Sequence, residues 1–472
     1  MNFKTKPYAH QLTVFERSKD SEYFALFMEQ GTGKTKPTID TIQHLYDAGK
    51  INRVLVLAPA GVYRNWTNAE IPVHMHESEF VGYAVRSASM TRDEKNHLEN
   101  VIKNFDLSIV STNIETLSSG TGFDFCIDFV KNGNTMVVID EATCIKNTTA
   151  KRTDNAIRLG RYAKYRRILT GTPVTQGPLD LFGMSEFLKP GVYGFRNFFH
   201  FKQYFAEVTN ISYGQRSFKK ITGYRNLNEL EKLTSKFAYI VTKKDCLDLP
   251  EKVYMKYHVP MTKEQEDVYN TLKDTHVAEL EDSSISITSA LKLLAKFHQI
   301  VCGHLKYDDG RVVRLENNRI DALISCLQES AGKVIIFANY VEDIKMISEA
   351  LTKEFGEASW ITYAGADDQE TRTDNLIAFR MKNGCRFFVS SQRVGGYGLT
   401  LVEATTTIYY SNSYSLEHRL QSEDRNHRIG QTNKVTYIDL VTPGLDERIL
   451  ASLLQKKNIA DSLIGNIKAL LF

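Results

Sequence analysis

Apolar residues fall in short unbroken runs through the first part of the chain: Tyr23–Met28, Val54–Ala58, Leu107–Ser111, Met136–Asp140 and Arg167–Thr170. Runs without polar alternation are what strands covered on both faces require, and longer segments with helical spacing separate them. The alternation predicts a doubly wound α/β lobe with a parallel sheet over residues 1–190. Across 191–305 the strand-like runs thin out. Gly194–Val208 is aromatic and reads as helical. Thr262 with Gln265 makes a capping-box pattern that opens a helix running towards Glu281, and Ser289–Ile300 is apolar at helical spacing. This stretch predicts helical protrusions and a linker. Strand–helix alternation returns within 306–472, where Val334–Phe337, Trp360–Tyr363, Phe387–Ser390, Thr407–Tyr410 and Val435–Leu440 read as strands. Glu447–Leu471 reads as one or two helices, so a second α/β lobe is expected.

Composition narrows the class. The 472 residues are 42% hydrophobic and 24% charged, the balance of a globular chain rather than a disordered, collagen-like or coiled-coil one. No apolar stretch approaches the roughly 18 residues a membrane span needs. Met1–Gln11 has no apolar h-region, so a secretory signal is not expected. Lys plus Arg is 59 against 56 for Asp plus Glu, a net +3 that neither demands nor excludes a nucleic acid. Cys126, Cys144, Cys246, Cys302, Cys326 and Cys385 contain no CxxC pair. A zinc ribbon or disulfide framework is therefore not expected, and a reducing intracellular compartment fits.

The chemistry begins at Met28–Thr35, MEQGTGKT, between a buried run and a helical segment. A glycine-rich turn there points backbone N–H groups of Gly31, Thr32 and Gly33 at phosphate oxygens, and the helix N-terminus adds its dipole. Lys34 can reach the β- and γ-phosphates, and the Thr35 hydroxyl can ligate Mg²⁺. The strict pattern places glycine at position 28, where this chain has Met28. The run Val137–Ile139 ends in Asp140 and Glu141. Carboxylates at the end of a buried strand suit Mg²⁺ coordination by Asp140 and activation of the attacking water by Glu141. ATP and Mg²⁺ are the expected cofactors, and nucleotide hydrolysis the expected reaction.

From Asp140–Thr143, DEAT, the chain resembles the superfamily-two helicases, and further residues narrow the resemblance to the Swi/Snf group of DNA translocases. Ile145-Lys146-Asn147 follows the acidic motif as in that group. Leu169–Pro173 (LTGTP) looks like its third motif, and Ala58–Trp66 (APAGVYRNW) its motif Ia. Gln421–Gln431 (QSEDRNHRIGQ) is close to its sixth motif and is the most specific match. Phe187–Pro190 and Lys243–Pro250 look like landmarks flanking the protrusion. The resemblance runs from Tyr8 to about Leu440. Thr143 stands where the family usually has His, and Asn412–Leu416 (NSYSL) replaces an aromatic-Asn-Pro stretch.

The resemblance implies two RecA-like lobes and an ATP-dependent double-stranded DNA translocase, a motor expected to act as a monomer, cytoplasmic if bacterial or viral. A strand-separating helicase is the nearest alternative enzyme, and an ATP-gated DNA-binding scaffold the alternative outside enzymes. By matching motif, Gln11 looks like the adenine-reading glutamine. Gly396 and Gly398 look like motif V, and Arg425 and Arg428 like arginine fingers that share one face if their segment is helical. Candidate DNA-phosphate contacts are Arg64, Ser111 and Thr112 in the first lobe and Ser390 and Arg393 in the second. Lys151–Arg167 is strongly basic and reads as a solvated face rather than a DNA stripe. The aromatic cluster Phe195–Phe205 reads as core packing. His74, His76, His298 and His304 lack metal-ligand company and read as surface or satisfied core histidines.

Overall fold

The computed structural model describes residues 2–469 apart from 61, 77–79, 86–95, 97, 99, 101, 103, 104, 214, 215, 283–286, 366–368, 382, 383 and 396–398. The chain divides into two compact units, one of Met1–Asp248 with Lys456–Phe472 and one of Leu249–Gln455. The stretch 191–305, read above as protrusion and linker, is thus shared between them.

In the first unit the strands are β1 (Tyr23–Met28), β2 (Arg53–Ala58), β3 (Phe80–Val85), β4 (Leu107–Asn113), β5 (Thr135–Asp140) and β6 (Tyr165–Leu169). The hairpin strands β7 (Ala206–Tyr213) and β8 (Arg216–Tyr224) follow, then β9 (Ala238–Val241). A seven-stranded sheet of order β3-β4-β2-β5-β6-β1-β9 results, parallel throughout. Successive side chains of each strand enter opposite cores. Ala25, Phe27, Leu55, Leu57, Val137 and Ile139 lie in one; Phe24, Leu26, Val54, Val56, Met136 and Val138 lie in the other. That two-sided burial is why these strands are unbroken apolar runs.

The second unit repeats the plan. Its strands are β10 (Lys252–His258), β11 (His304–Lys306), β12 (Val312–Arg314), β13 (Lys333–Ala338), β14 (Trp360–Tyr363), β15 (Phe387–Ser391), β16 (Ala404–Tyr409) and β17 (Val435–Val441). Six of them form a parallel sheet of order β10-β17-β16-β13-β15-β14. Val334, Ile336 and Ala338 face one core, Ile335 and Phe337 the other. Both units are therefore doubly wound parallel-sheet lobes, as the pattern predicts.

The differences have physical reasons. Gly194–Val208 is helical only over Phe198–Phe205, and the chain then turns into the β7–β8 hairpin. Asn197 caps that helix by accepting from His200 N. Phe201 and Phe205 are fully buried and pack with tilted and edge-on rings among Phe182, Tyr193 and Phe195, so this part of the aromatic cluster is core, whereas Phe199 and Tyr204 are exposed. The helix Lys263–Asp282 opens on the expected box, with Thr262 N donating to Gln265 Oε1 at 2.9 Å and Gln265 N to Thr262 Oγ1 at 3.3 Å. The C-terminal segment is one helix, Leu445–Ala469. Among the described residues no helix is long and apolar enough to cross a membrane.

Arg167 leaves the basic stripe. It lies in β6, fully buried, and its Nη2 donates to the carbonyls of Ser18 at 2.7 Å and Ser21 at 2.8 Å. Arg161 and Lys164, by contrast, are exposed.

Candidate functional site

The carboxyl ends of β1, β5 and β6, neighbours in the first sheet, gather the predicted nucleotide chemistry. After β1 the chain turns through Gly31 (φ 82°) and Gly33 (φ 77°), left-handed conformations that glycine adopts without a Cβ penalty. A helix then begins at Thr35, which is half-buried at its first position. Thr32 pins the turn, its hydroxyl donating to Glu29 O at 2.7 Å. A Cβ on Gly33 would lie 2.4 Å from Gln11 Nε2. Gln11 is buried, and its amide accepts from Tyr8 N at 2.9 Å while donating to Gly33 O at 3.1 Å. It thereby ties the helix Ala9–Ser18 to the glycine turn. His10 bonds the same turn through Thr32 O at 2.8 Å.

Lys34 and Glu141 meet across this site, Nζ to Oε1 at 3.0 Å, with little exposure of either side chain. Gln30 Nε2 approaches the same oxygen at 3.4 Å. Glu141 is one of two described non-glycine residues in the left-handed region, at φ 49°. That conformation costs an L-residue about 1–2 kcal/mol, and such strain concentrates at functional positions. Here it turns the carboxylate off the end of β5 towards Lys34. Asp140 is held separately: its Oδ1 accepts from Glu141 N at 3.0 Å and its Oδ2 from Trp66 Nε1 at 3.0 Å. The two carboxylates are thus aimed apart by different donors.

The LTGTP segment closes the third side. A Cβ on Gly171 would fall 2.7 Å from the backbone N of Gln30, so only glycine lets this turn lie against the phosphate loop. Thr170 Oγ1 accepts from Thr172 N at 3.1 Å. The Thr172 hydroxyl is buried with no hydrogen-bond partner among the described residues. Beyond it, Lys146 of the Ile-Lys-Asn triplet bonds Thr175 Oγ1, and Asp180 Oδ2 accepts from the Thr175 hydroxyl at 2.9 Å.

Trp66 carries no role in the sequence reading, although it lies inside the quoted APAGVYRNW. It is 1% exposed and belongs to a π-helical turn, Trp66–Glu70, a wound-open geometry frequent at functional sites. Its neighbour Thr67 bonds Ser111 Oγ at 3.2 Å, and Arg64, two residues back, is exposed with Nε on Tyr63 OH at 3.0 Å. The signal in the sequence was the position of an aromatic N–H donor; its acceptor lies 74 residues away.

The candidate DNA contacts separate into two kinds. Arg64 and Arg393 are exposed. Ser111, Thr112 and Ser390 are fully buried, because they sit in strands covered on both faces. Thr112 Oγ1 bonds Thr116 Oγ1 at 3.2 Å, and Ser390 Oγ donates to Tyr363 O. Their side chains are not surface groups.

In the second unit, Gly396 and Gly398 lie outside the described residues. Arg425 and Arg428 follow the helix Leu416–Glu423 in a turn, not in a helix. They still converge, both donating to Leu399 O, at 3.0 and 3.1 Å. Arg425 is 4% exposed and also donates to Gln421 O at 2.7 Å, whereas Arg428 is half-buried. The acids beside them are engaged elsewhere. Glu423 takes Arg419 Nε at 2.8 Å, Lys252 Nζ at 3.1 Å and Tyr254 OH at 2.7 Å. Arg419 also grips Asp439 with both terminal guanidinium nitrogens, and Asn412 of the unusual NSYSL stretch bonds both residues. Burial opposes ionisation of Glu423, but Lys252 and Arg419 hold its carboxyl at about 2.

His298 and His304 are core residues, each 2% exposed, but His298 Nε2 and His304 Nδ1 make no hydrogen bond among the described residues, so the expected satisfaction is incomplete. His298 lies 3.3 Å from Asp446 and His304 3.3 Å from Asp343. His74 and His76 bond Thr5 at 2.7 Å and the Asn2 carbonyl at 2.9 Å.

A glycine turn at a helix N-terminus, a lysine on it and two carboxylates at the end of β5 define a P-loop protein built on two parallel-sheet lobes. Residues 16–305 match the model of the SNF2-related domain and residues 318–430 that of the helicase conserved C-terminal domain. The chain belongs to the SNF2-related family, Swi/Snf-type motors of helicase superfamily two. It is 28% identical over 460 residues to the putative ATP-dependent helicase/translocase YwqA of Bacillus subtilis, covering 92% of this chain and 46% of that protein. It is 25% identical to the chromatin structure-remodeling complex subunit snf21 of Schizosaccharomyces pombe, covering 92% and 37%. Among solved structures it is similar to the Sulfolobus solfataricus SWI2/SNF2 ATPase core in complex with dsDNA, at 25% identity, 99% and 95% coverage and a TM-score of 0.42. The chain spans less than half the length of these two curated relatives.

Proposed function

We propose that this chain is an ATP-dependent double-stranded DNA translocase that hydrolyses ATP with Mg²⁺ and moves along the duplex without parting its strands. The observation that carries the reading is the convergence of the left-handed glycine turn, Lys34 and the Asp140–Glu141 pair in a chain of this family. The naming of a relative as a helicase/translocase supports it.

The residues fit the nucleotide and its metal. The Gly33 turn is left-handed and covered by the Gln11 amide, the Thr172 hydroxyl is a buried group without a hydrogen-bond partner among the described residues, and Thr35 with Asp140 is a hard-oxygen donor set. Thr35 and Asp140 would hold Mg²⁺, which when bound neutralises charge on the phosphate oxygens. Lys34 passes from Glu141 to the β- and γ-phosphates, and the helix N-terminus binds phosphate through its N–H groups. Glu141, released from Lys34, takes the proton of the attacking water or orients it. Trp66 keeps Asp140 turned away from Glu141, so metal and water have separate carboxylates. Gln11, bonded to Gly33 O, couples adenine recognition to the turn. Arg64 and Arg393 contact DNA phosphates, which position a duplex without reading its sequence.

The test is a pair of strand assays. ATP-dependent displacement of a triplex third strand, with little unwinding of a forked duplex, is expected. Forked-duplex unwinding as fast as triplex displacement would replace this reading with a strand-separating helicase.

A further inference from the structure

The β7–β8 hairpin stands apart from both large sheets as a two-stranded antiparallel ribbon. Such a ribbon is marginal in water on its own. Its base is built in. Ile221 and Tyr224 pack against the first core, and Arg225 donates from Nη2 to Gln203 O at 2.6 Å and from Nε to Tyr204 O at 3.2 Å. The Tyr224 hydroxyl abuts Gly177, where a Cβ would lie 2.1 Å away. Gly177 follows Thr175, the residue that Lys146 bonds. The ribbon is therefore seated on the loop that leaves the LTGTP segment.

Beyond that base the described side chains are exposed on both faces, Val208, Thr209, Asn210, Lys219 and Lys220 among them. Thr209 pairs with Lys220 and Asn210 with Lys219, so one lysine lies on each face; all four are exposed. Neither ammonium has an ion pair or hydrogen bond among the described residues. Residues 206–224 hold Arg216, Lys219 and Lys220 against Glu207 alone, a net +2 where the whole chain carries +3. Most of the chain's surplus charge thus lies in this one ribbon.

We propose that the β7–β8 ribbon is a duplex-DNA contact that enters the major groove edge-on, with Lys219 and Lys220 each reaching one of the two flanking phosphate backbones. The inference rests on the DNA reading above. Cations on opposite faces suit a groove bounded by phosphates on both sides. A ribbon with its side chains is about 10 Å thick, which the roughly 12 Å major groove admits and the roughly 6 Å minor groove does not. The contact is independent of sequence, because lysine meets phosphate as a point charge.

The test is the salt dependence of binding to a blunt duplex, by fluorescence anisotropy, for wild type and Lys219→Gln/Lys220→Gln. Two lost phosphate contacts reduce the slope of log affinity against log salt by about 1.8. Two duplexes of unrelated sequence lose affinity alike, DNA-free ATPase is unchanged, and Lys219→Arg/Lys220→Arg restores the slope. A wild type that binds duplex while the glutamine variant keeps its slope overturns the ribbon proposal. A wild type that binds no duplex overturns the DNA reading itself.

Discussion

Replacing Trp66 with Phe removes one hydrogen bond and part of a packed ring. The indole is 1% exposed and donates to Asp140 Oδ2 at 3.0 Å. A hydrogen bond to an ionised acceptor contributes about 1.5–3 kcal/mol. The smaller ring leaves a cavity costing about 1 kcal/mol more. The first unit should therefore lose about 2.5–4 kcal/mol, read as a lower denaturation midpoint. Packing alone would also lower it, so the decisive assay is a double-mutant cycle with Asp140→Ala. If the indole holds the carboxylate, the second substitution costs less once the first is made, and the coupling is about 1.5–3 kcal/mol. Costs that add to within about 0.5 kcal/mol would refute the contact and, with it, the separation of the two carboxylates.

Glu141→Gln should leave nucleotide and Mg²⁺ binding largely intact while hydrolysis collapses; affinity falling in step with rate would contradict the division of labour. Arg425→Ala should lower the melting temperature of the second unit, because a buried guanidinium that bonds the Gln421 and Leu399 carbonyls is lost. Half-buried Arg428→Ala should melt nearly as wild type yet lose DNA-stimulated turnover; the reverse outcome would make Arg428 structural. Acid should weaken the second unit through Glu423, whose carboxyl is lowered from 4.5 to about 2. The unfolded chain binds the proton more readily, so this stabilisation is present above about pH 4.5 and is lost as pH falls towards 2. It is on the order of 3 kcal/mol, and urea stability that stays flat from pH 5 to 3 would contradict it.

What the sequence makes legible follows from burial. The central strands are covered on both faces and announce themselves as apolar runs. Two edge strands do not: β9 has only four residues, and most of the residues of β10 are exposed with polar positions interspersed. The hairpin strands sit in no layered core, so their pattern carries no such signature, and the aromatic residues before them suggest a longer helix than forms. Lys34, Asp140 and Glu141 are legible because loop and strand end each carry their own local pattern. The Trp66–Asp140 bond and the Arg419–Asp439–Glu423–Lys252 network join residues far apart in the chain, and only the fold reveals them. Burial likewise removes Ser111, Thr112 and Ser390 from the surface, which a motif position alone does not disclose.

The most direct test is the steady-state ATPase rate with no nucleic acid, single-stranded DNA, duplex DNA or RNA, with Lys34→Ala as the blank. Duplex DNA should raise the rate most, the increase should fall steeply with salt, and Lys34→Ala should show no turnover under any condition. Equal stimulation by RNA and duplex DNA, or none by either, would contradict a duplex-DNA translocase.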